Sequence, residues 1–261
     1  MQNIVTLQDR TIVVTGAGQG IGLALSKLIV ELGGNVVAVD LNGDGLCAAM
    51  SELPGDRVMQ VTGSVSDAEL APRAVDKAVA RFGALDGLVN NAGITRAAMI
   101  EKMTPRQWLD VIDVHMTGAF YWTQAVGRHL VHRAKSQEPA GIETIGSIVN
   151  VSSDAGRKGS VGQINYSAAK AGMLAMTMTA AREWGKYRIR ANSVCFGVVE
   201  TPMTEVVRGD KFRDGMLAQI PLGRWAMPEE VVRAVCFLLS DGASYITGQH
   251  LGVNGGFHIS L

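Results

Sequence analysis

The chain has 261 residues, near the upper limit for one hydrophobic core, and its 47% hydrophobic content is ample for a compact α/β domain. Lys plus Arg and Asp plus Glu number 24 each, so the chain as a whole has no field to hold nucleic acid or an anionic membrane surface. Cys47, Cys195 and Cys236 lack CxxC or metal-ligand spacing, no run is long and apolar enough to span a membrane, and the N-terminus has no secretion-signal pattern, so a cytoplasmic protein with reduced cysteines and no metal is expected.

Short β-branched runs alternate with longer amphipathic ones along the chain. TIVVTG comes first, followed by NVVAVD, RVMQVTG, LDGLVNN, SIVNVS, RANSVCF and HLGVNG, with helical patterns between the first six. This predicts an α/β fold, a parallel seven-stranded sheet with helices on both faces, as a single domain over 1–261. Helices are expected at 20–32, 43–52, 67–82, 104–133, 165–185 and 228–240, with starts at Asp67, at Thr104 before Pro105, and at Pro228. Residues 134–146 read as a polar surface loop, and 197–226, with Gly, Pro and Met between apolar islands, as a mobile substrate flap.

The first strand runs into TGAGQGIG at 15–22, where glycines allow a tight turn and bring a helix N-terminus against a pyrophosphate. Gly16, Gly20 and Gly22, with Gln19 and Ile21 between them, depart from the strict GxGxxG spacing, and a tight βα turn without a ligand also fits. Asp40, followed by Leu41, ends the second strand, where a carboxylate accepts hydrogen bonds from both hydroxyls of an adenosine ribose and repels a 2′-phosphate. Neither Gln19, Leu41 nor Asn42 supplies a cation, which points to NAD(H) rather than NADP(H); a turn or cap role for Asp40 is the alternative.

TGAGQGIG, NNAG at 90–93, then Ser153, Tyr166 and Lys170, and VETPM at 199–203 together resemble the short-chain dehydrogenase/reductase family over nearly the whole chain. Within it, NNAGITR, GQINYSAAKAG, QIPLGR, YITG and VNGG are most similar to the 3-oxoacyl-thioester reductases. The resemblance implies a Rossmann-type sheet in which Asn91, Ala92 and Gly93 line the adenosine side of the cofactor and Val199 and Thr201 contact the nicotinamide end. Ser64 and Val65 then face adenine, with Ser64 where the family usually has Asp.

A free tyrosine, with a pKa of about 10, is a poor base at neutral pH. Lys170 lies one helical turn after Tyr166 and on the same face. At ~4 Å and an effective dielectric of ~20 its ammonium would favour the phenolate by roughly 4 kcal/mol. Tyr166 is then the expected acid or base, Lys170 its tuner and a ribose clamp, and Ser153 the donor to the substrate oxygen. As ordinary structure, the three would be a turn residue, a half-buried aromatic and a solvated helix face.

His115 stands where the family usually has Asn, its fourth catalytic member, whose main-chain carbonyl at a helix kink holds a water leading to the lysine. A buried, hydrogen-bonded packing histidine is the other reading. Phe196 stands where the family most often has proline. Gln163, Val161, Asp154 and Phe196, with Met203 and Val207, are the candidates for a substrate pocket whose apolar character favours an alkyl or acyl ketone. GMLAMTMTAA at 172–181 and the apolar C-terminus favour a homotetramer, core packing being the alternative. The expected function is hydride transfer between NAD(H) and a secondary alcohol or ketone; a sensor of the same fold that binds NAD(H) with weak turnover is the rival, and an empty α/β scaffold a third possibility.

Overall fold

The computed structural model describes residues 5–136 and 144–259. The first half runs β1 (Thr11–Thr15), α1 (Gly20–Glu31), β2 (Asn35–Asp40), α2 (Gly43–Met50), β3 (Val58–Thr62), α3 (Leu70–Phe82) and β4 (Gly87–Asn90). The second runs α4 (Pro105–Ile112), α5 (Gly118–Ser136), β5 (Gly146–Ser153), α6 (Ala155–Lys158), α7 (Ile164–Trp184), β6 (Ile189–Phe196), α8 (Glu205–Arg208), α9 (Asp210–Leu217), α10 (Pro228–Leu239) and β7 (His250–Val253). All seven strands are parallel, in the order β3-β2-β1-β4-β5-β6-β7.

The period-2 alternation of each strand divides the core between the two faces. Ile12, Val14, Val36, Ala38, Val149 and Val151 point to the side covered by α1, α2 and α10. Val13, Val37, Val39, Leu88 and Ile148 point to the side covered by α3, α5 and α7, where Trp122 is fully buried. The expected Rossmann-type sheet is therefore the observed one, and all seven predicted strands are present.

Two helical expectations are corrected, and the flap gains local structure. Helix α3 starts at Leu70 rather than Asp67, because the Asp67 carboxylate accepts the Glu69 N–H in a local turn before the helix begins. The stretch expected as one helix over 104–133 is broken by a π-turn at Asp113–Thr117 between α4 and α5. The flap folds into α8 and α9 after a 3₁₀ turn at Pro202–Thr204, which Thr201 caps. Of the surface loop expected at 134–146, residues 137–143 lie outside the described residues, and 134–136 belong to α5.

A buried polar chain ties the helix carrying Tyr166 and Lys170 to the sheet. Asn90 Nδ2 donates to Thr123 Oγ1 at 3.0 Å and to Asn150 Oδ1 at 2.8 Å, and Asn150 Nδ2 donates to Thr177 Oγ1 at 2.8 Å. Asn150 is 1% exposed, so its amide has no water to fall back on. Asn150→Leu leaves the Asn90 amide short of an acceptor and is expected to destabilise the fold by ~2 kcal/mol in chemical denaturation, whereas Asn35→Leu at the partly exposed start of β2 costs less than half of that.

Candidate active site

The carboxyl ends of the strands open into a cavity of about 460 Å³ at the point where the strand order reverses between β1 and β4. Among the described residues it is lined by every residue expected at the cofactor: the loop Gly16, Gln19, Gly20, Ile21 and Gly22, then Asp40 and Leu41, Ser64 and Val65, Asn91 to Gly93, Val199 and Thr201. Tyr166, Lys170, Ser153, His115, Phe196 and Met203 line it as well.

The local chemistry of the loop explains its sequence. Gly16 sits at φ +66°, and a Cβ on Gly22 would lie 1.9 Å from the Gly16 carbonyl oxygen, so neither position accepts a side chain. Asp40 holds the loop: its Oδ2 accepts the Gly18 N–H at 2.9 Å and its Oδ1 accepts the Asn42 N–H at 3.0 Å. Asn91 acts from the other side, its Nδ2 donating to the carbonyls of Thr15 and Gly16 at 2.9 and 3.2 Å. Thr201 of the flap would be met at 3.3 Å by a Cβ on Gly20, which places the flap directly over the glycine turn.

A dinucleotide fits this donor set. The glycines of the loop present bare backbone, the Asp40 carboxylate lies at the far end, and among the described residues Lys170 is the only Lys or Arg lining the cavity, so none of them stands beside Asp40 to neutralise a 2′-phosphate.

At the other end Ser153 finishes β5 and lines the cavity together with Tyr166 on α7. Lys170 is 3% exposed; its Nζ donates to the Val151 carbonyl at 2.6 Å and lies 5.6 Å from the centroid of the Tyr166 ring. The expectation that the ammonium lowers the phenol is corrected here, because burial dominates both groups. Burial pushes the Tyr166 phenol up, against a smaller lowering effect of the Ser153 hydroxyl, and pushes Lys170 down to about 7, against a smaller raising effect of Cys195. The pair therefore rests as a protonated phenol beside an amine that readily gains or loses its proton near neutral pH.

His115 lies in the π-turn, which swings its ring edge-on to Tyr166 with 5.3 Å between ring centroids. Its Nε2 is 2.8 Å from the Ile94 carbonyl and 3.0 Å from the Ile94 N–H, and its Nδ1 is buried without a partner. Burial, with the nearby Lys170 charge, lowers its pKa to about 3, so the ring is neutral at working pH. The ring is buried and hydrogen-bonded, as the packing reading has it, and the residue also lines the cavity.

The expected substrate residues divide. Phe196 and Met203 line the cavity, whereas Gln163, at the N-cap of α7 with its backbone bridged to Ala98, is not among the lining residues. Val161 is 87% exposed, Val207 lies beyond the lining, and the Asp154 side chain turns away to Asn254. Sequence reasoning missed Ile94, Val114 and Val151. Ile94 directly follows NNAG and could have been included; Val114 reaches the cavity only through the π-turn, and Val151 acts through its carbonyl, which any residue supplies.

A family described as enoyl-(acyl carrier protein) reductase matches residues 16–258. The 3-oxoacyl-acyl-carrier-protein reductase FabG of Thermotoga maritima is 41% identical, covering 97% of this chain and 99% of that protein. An acetoacetyl-CoA reductase of Synechocystis is 39% identical, covering 97% and 98%. Among solved structures, a short-chain dehydrogenase/reductase of the glucose/ribitol dehydrogenase type from Brucella melitensis superposes with a TM-score of 0.89 at 33% identity, covering 97% and 98% of the two chains. A putative NAD(P)-dependent gluconate 5-dehydrogenase from Beutenbergia cavernae, with NADP bound at low occupancy, gives 0.88 at 32% identity, covering 98% and 99%.

The depressed His115 fixes the sign of one pH effect. Its folded pKa of about 3 lies below the ordinary 6.5, so the unfolded chain binds the extra proton first and stability is lost as pH falls from 6.5 towards 3. Denaturation midpoints followed over that range should fall less steeply in His115→Asn than in the wild type, and parallel curves would contradict the buried neutral ring.

Proposed function

The chain belongs to the short-chain dehydrogenase/reductase family of oxidoreductases, and on that premise we propose that it is an NAD(H)-dependent carbonyl reductase, acting through Ser153, Tyr166 and Lys170 on a 3-oxoacyl thioester or a similar apolar ketone. The observation that carries the proposal is that Ser153, Tyr166 and buried Lys170 line the same cavity as the glycine loop and Asp40.

The dinucleotide, when bound, supplies a hydride to the carbonyl carbon. Gly16 to Gly22 would hold its pyrophosphate, Asp40 its adenosine ribose hydroxyls, Ser64 and Val65 its adenine, and Val199 and Thr201 its nicotinamide end. The Ser153 hydroxyl donates to the substrate oxygen and stabilises charge developing there. Tyr166 gives its phenolic proton to that oxygen as the alcohol forms. Lys170, in its ammonium form, holds the charge of the phenolate left behind. His115 keeps the Tyr166 ring in place from the edge while remaining uncharged. The raised phenol supports this direction, because the group begins protonated and is a donor for reduction.

Ile94, Val114, Phe196 and Met203 give the inner wall an apolar lining, which suits an acyl chain rather than a sugar. The names of the relatives from Thermotoga maritima and Synechocystis favour the thioester. Exposed Phe120 and Met178, 48% and 45% accessible on α5 and α7, support a homotetramer assembled through these helices.

Tyr166→Phe should lower turnover of acetoacetyl-CoA about 10³-fold while NADH binding, read by intrinsic Trp fluorescence, stays within about twofold; retained turnover would remove Tyr166 from the chemistry. Titration with both dinucleotides should show tighter binding of NADH than of NADPH, and Asp40→Ser should narrow that gap. A wild-type preference for NADPH would overturn the role given to Asp40.

A further inference from the structure

Asp154 follows Ser153, yet its carboxylate turns away from the cavity and is 2% exposed. Its Oδ2 accepts from Asn254 Nδ2 at 2.8 Å, and the same amide nitrogen donates to the His258 carbonyl at 3.0 Å. Asn254 Oδ1 accepts the Gly256 N–H at 3.0 Å, so both polar atoms of that side chain are engaged. The chain after β7 is thereby fixed to the turn that carries Ser153.

The same short tail touches both ends of the flap. At the first end, a Cβ on Gly197 would come within 3.0 Å of the Asn254 Cα, and the Gly197 N–H donates to the Val253 carbonyl at 3.3 Å. At the second, the Leu222 N–H donates to the Gly255 carbonyl at 3.1 Å, and a Cβ on Gly256 would meet Pro221 at 2.7 Å. Helix α6 is held as well: Lys158 Nζ lies 3.3 Å from the centroid of the Phe257 ring, and the Lys158 N–H donates to the Asp154 carbonyl at 3.0 Å.

We propose that Asp154 and Asn254 form a strap that keeps the Ser153 turn and both ends of the flap in one register, with Asp154 a positioning residue for the site rather than a substrate contact. Asn254 is the junction, because it touches the Ser153 turn, the flap entry and the tail. The flap carries Thr201 and Met203 into the cavity, so movement at this junction displaces the wall of the site and Ser153 together. The kinetic consequence rests on the reductase reading above, whereas the mechanical one does not.

The test is hydrogen exchange on the full chain, with steady-state kinetics beside it. Asn254→Asp sets a second carboxylate against Asp154 and should speed exchange about tenfold in both 154–158 and 201–222, leaving β1 and β2 unchanged. It should also raise KM for acetoacetyl-CoA more than it lowers kcat. Combining Asp154→Asn with Asn254→Asp rebuilds the hydrogen bond in the opposite direction and should return exchange to within about threefold of wild type. Asp154→Asn alone keeps an acceptor and should behave like wild type, and Asp154→Ala, which removes the bond without adding charge, serves if Asn254→Asp does not fold. Unchanged exchange in either segment, or a reciprocal pair no better than the single variant, overturns the strap. A wild type that reduces no carbonyl would overturn the reductase reading and leave the exchange result to decide this one.

Discussion

A lysine taken out of water is the constraint around which this protein is organised. Among the described residues Lys170 has no acid partner at its Nζ, which meets the Val151 carbonyl and the Met173 sulfur, and burial drives its pKa down to about 7. The fold accepts that cost at one place, the end of β5 against the first turns of α7. Asn90, Asn150 and Thr177 fix α7 to the sheet behind it, and the Ser152 hydroxyl donates to the Lys170 carbonyl at 2.8 Å. The phenol one turn earlier is then presented to Ser153 on one side and to the His115 ring on another.

The second requirement is a surface of bare backbone for a phosphate-bearing cofactor, and the sheet supplies it where neighbouring connections diverge on opposite faces. Asp40 and Asn91 hold the glycine loop from either side, so these two polar residues shape the cradle as well as line it. The flap is positioned by its own base, where Glu200 N–H donates to the Ala226 carbonyl at 2.9 Å, and by the tail at Asn254. The glycine loop, Tyr166 with Lys170, and the apolar wall are thus parts of one continuous cavity.

Much of this was legible in the sequence because the signals were local. Alternating β-branched runs such as NVVAVD specify strands through side-chain period alone, and Thr104 with Gln107 forms the capping box that starts α4. Tyr166 and Lys170 share a helix face by spacing. What was not legible depended on contacts between distant segments. The π-turn at Asp113–Thr117 has no propensity signal, and it decides where His115 points. Asp154 reads as a pocket residue from its place beside Ser153, but its partner is 100 residues away. The sign of the Tyr166 shift depends on how deeply the pair is buried, which spacing on a helix does not reveal.

The most direct test of the central claim is the titration of Lys170 itself, followed by ¹⁵Nζ NMR of lysine-labelled protein and assigned by loss of the signal in Lys170→Met. Burial of this ammonium predicts a midpoint near neutral pH, about 7. A midpoint at or above the ~10.4 of an exposed lysine would contradict it, and with it the resting state assigned to the Tyr166 and Lys170 pair.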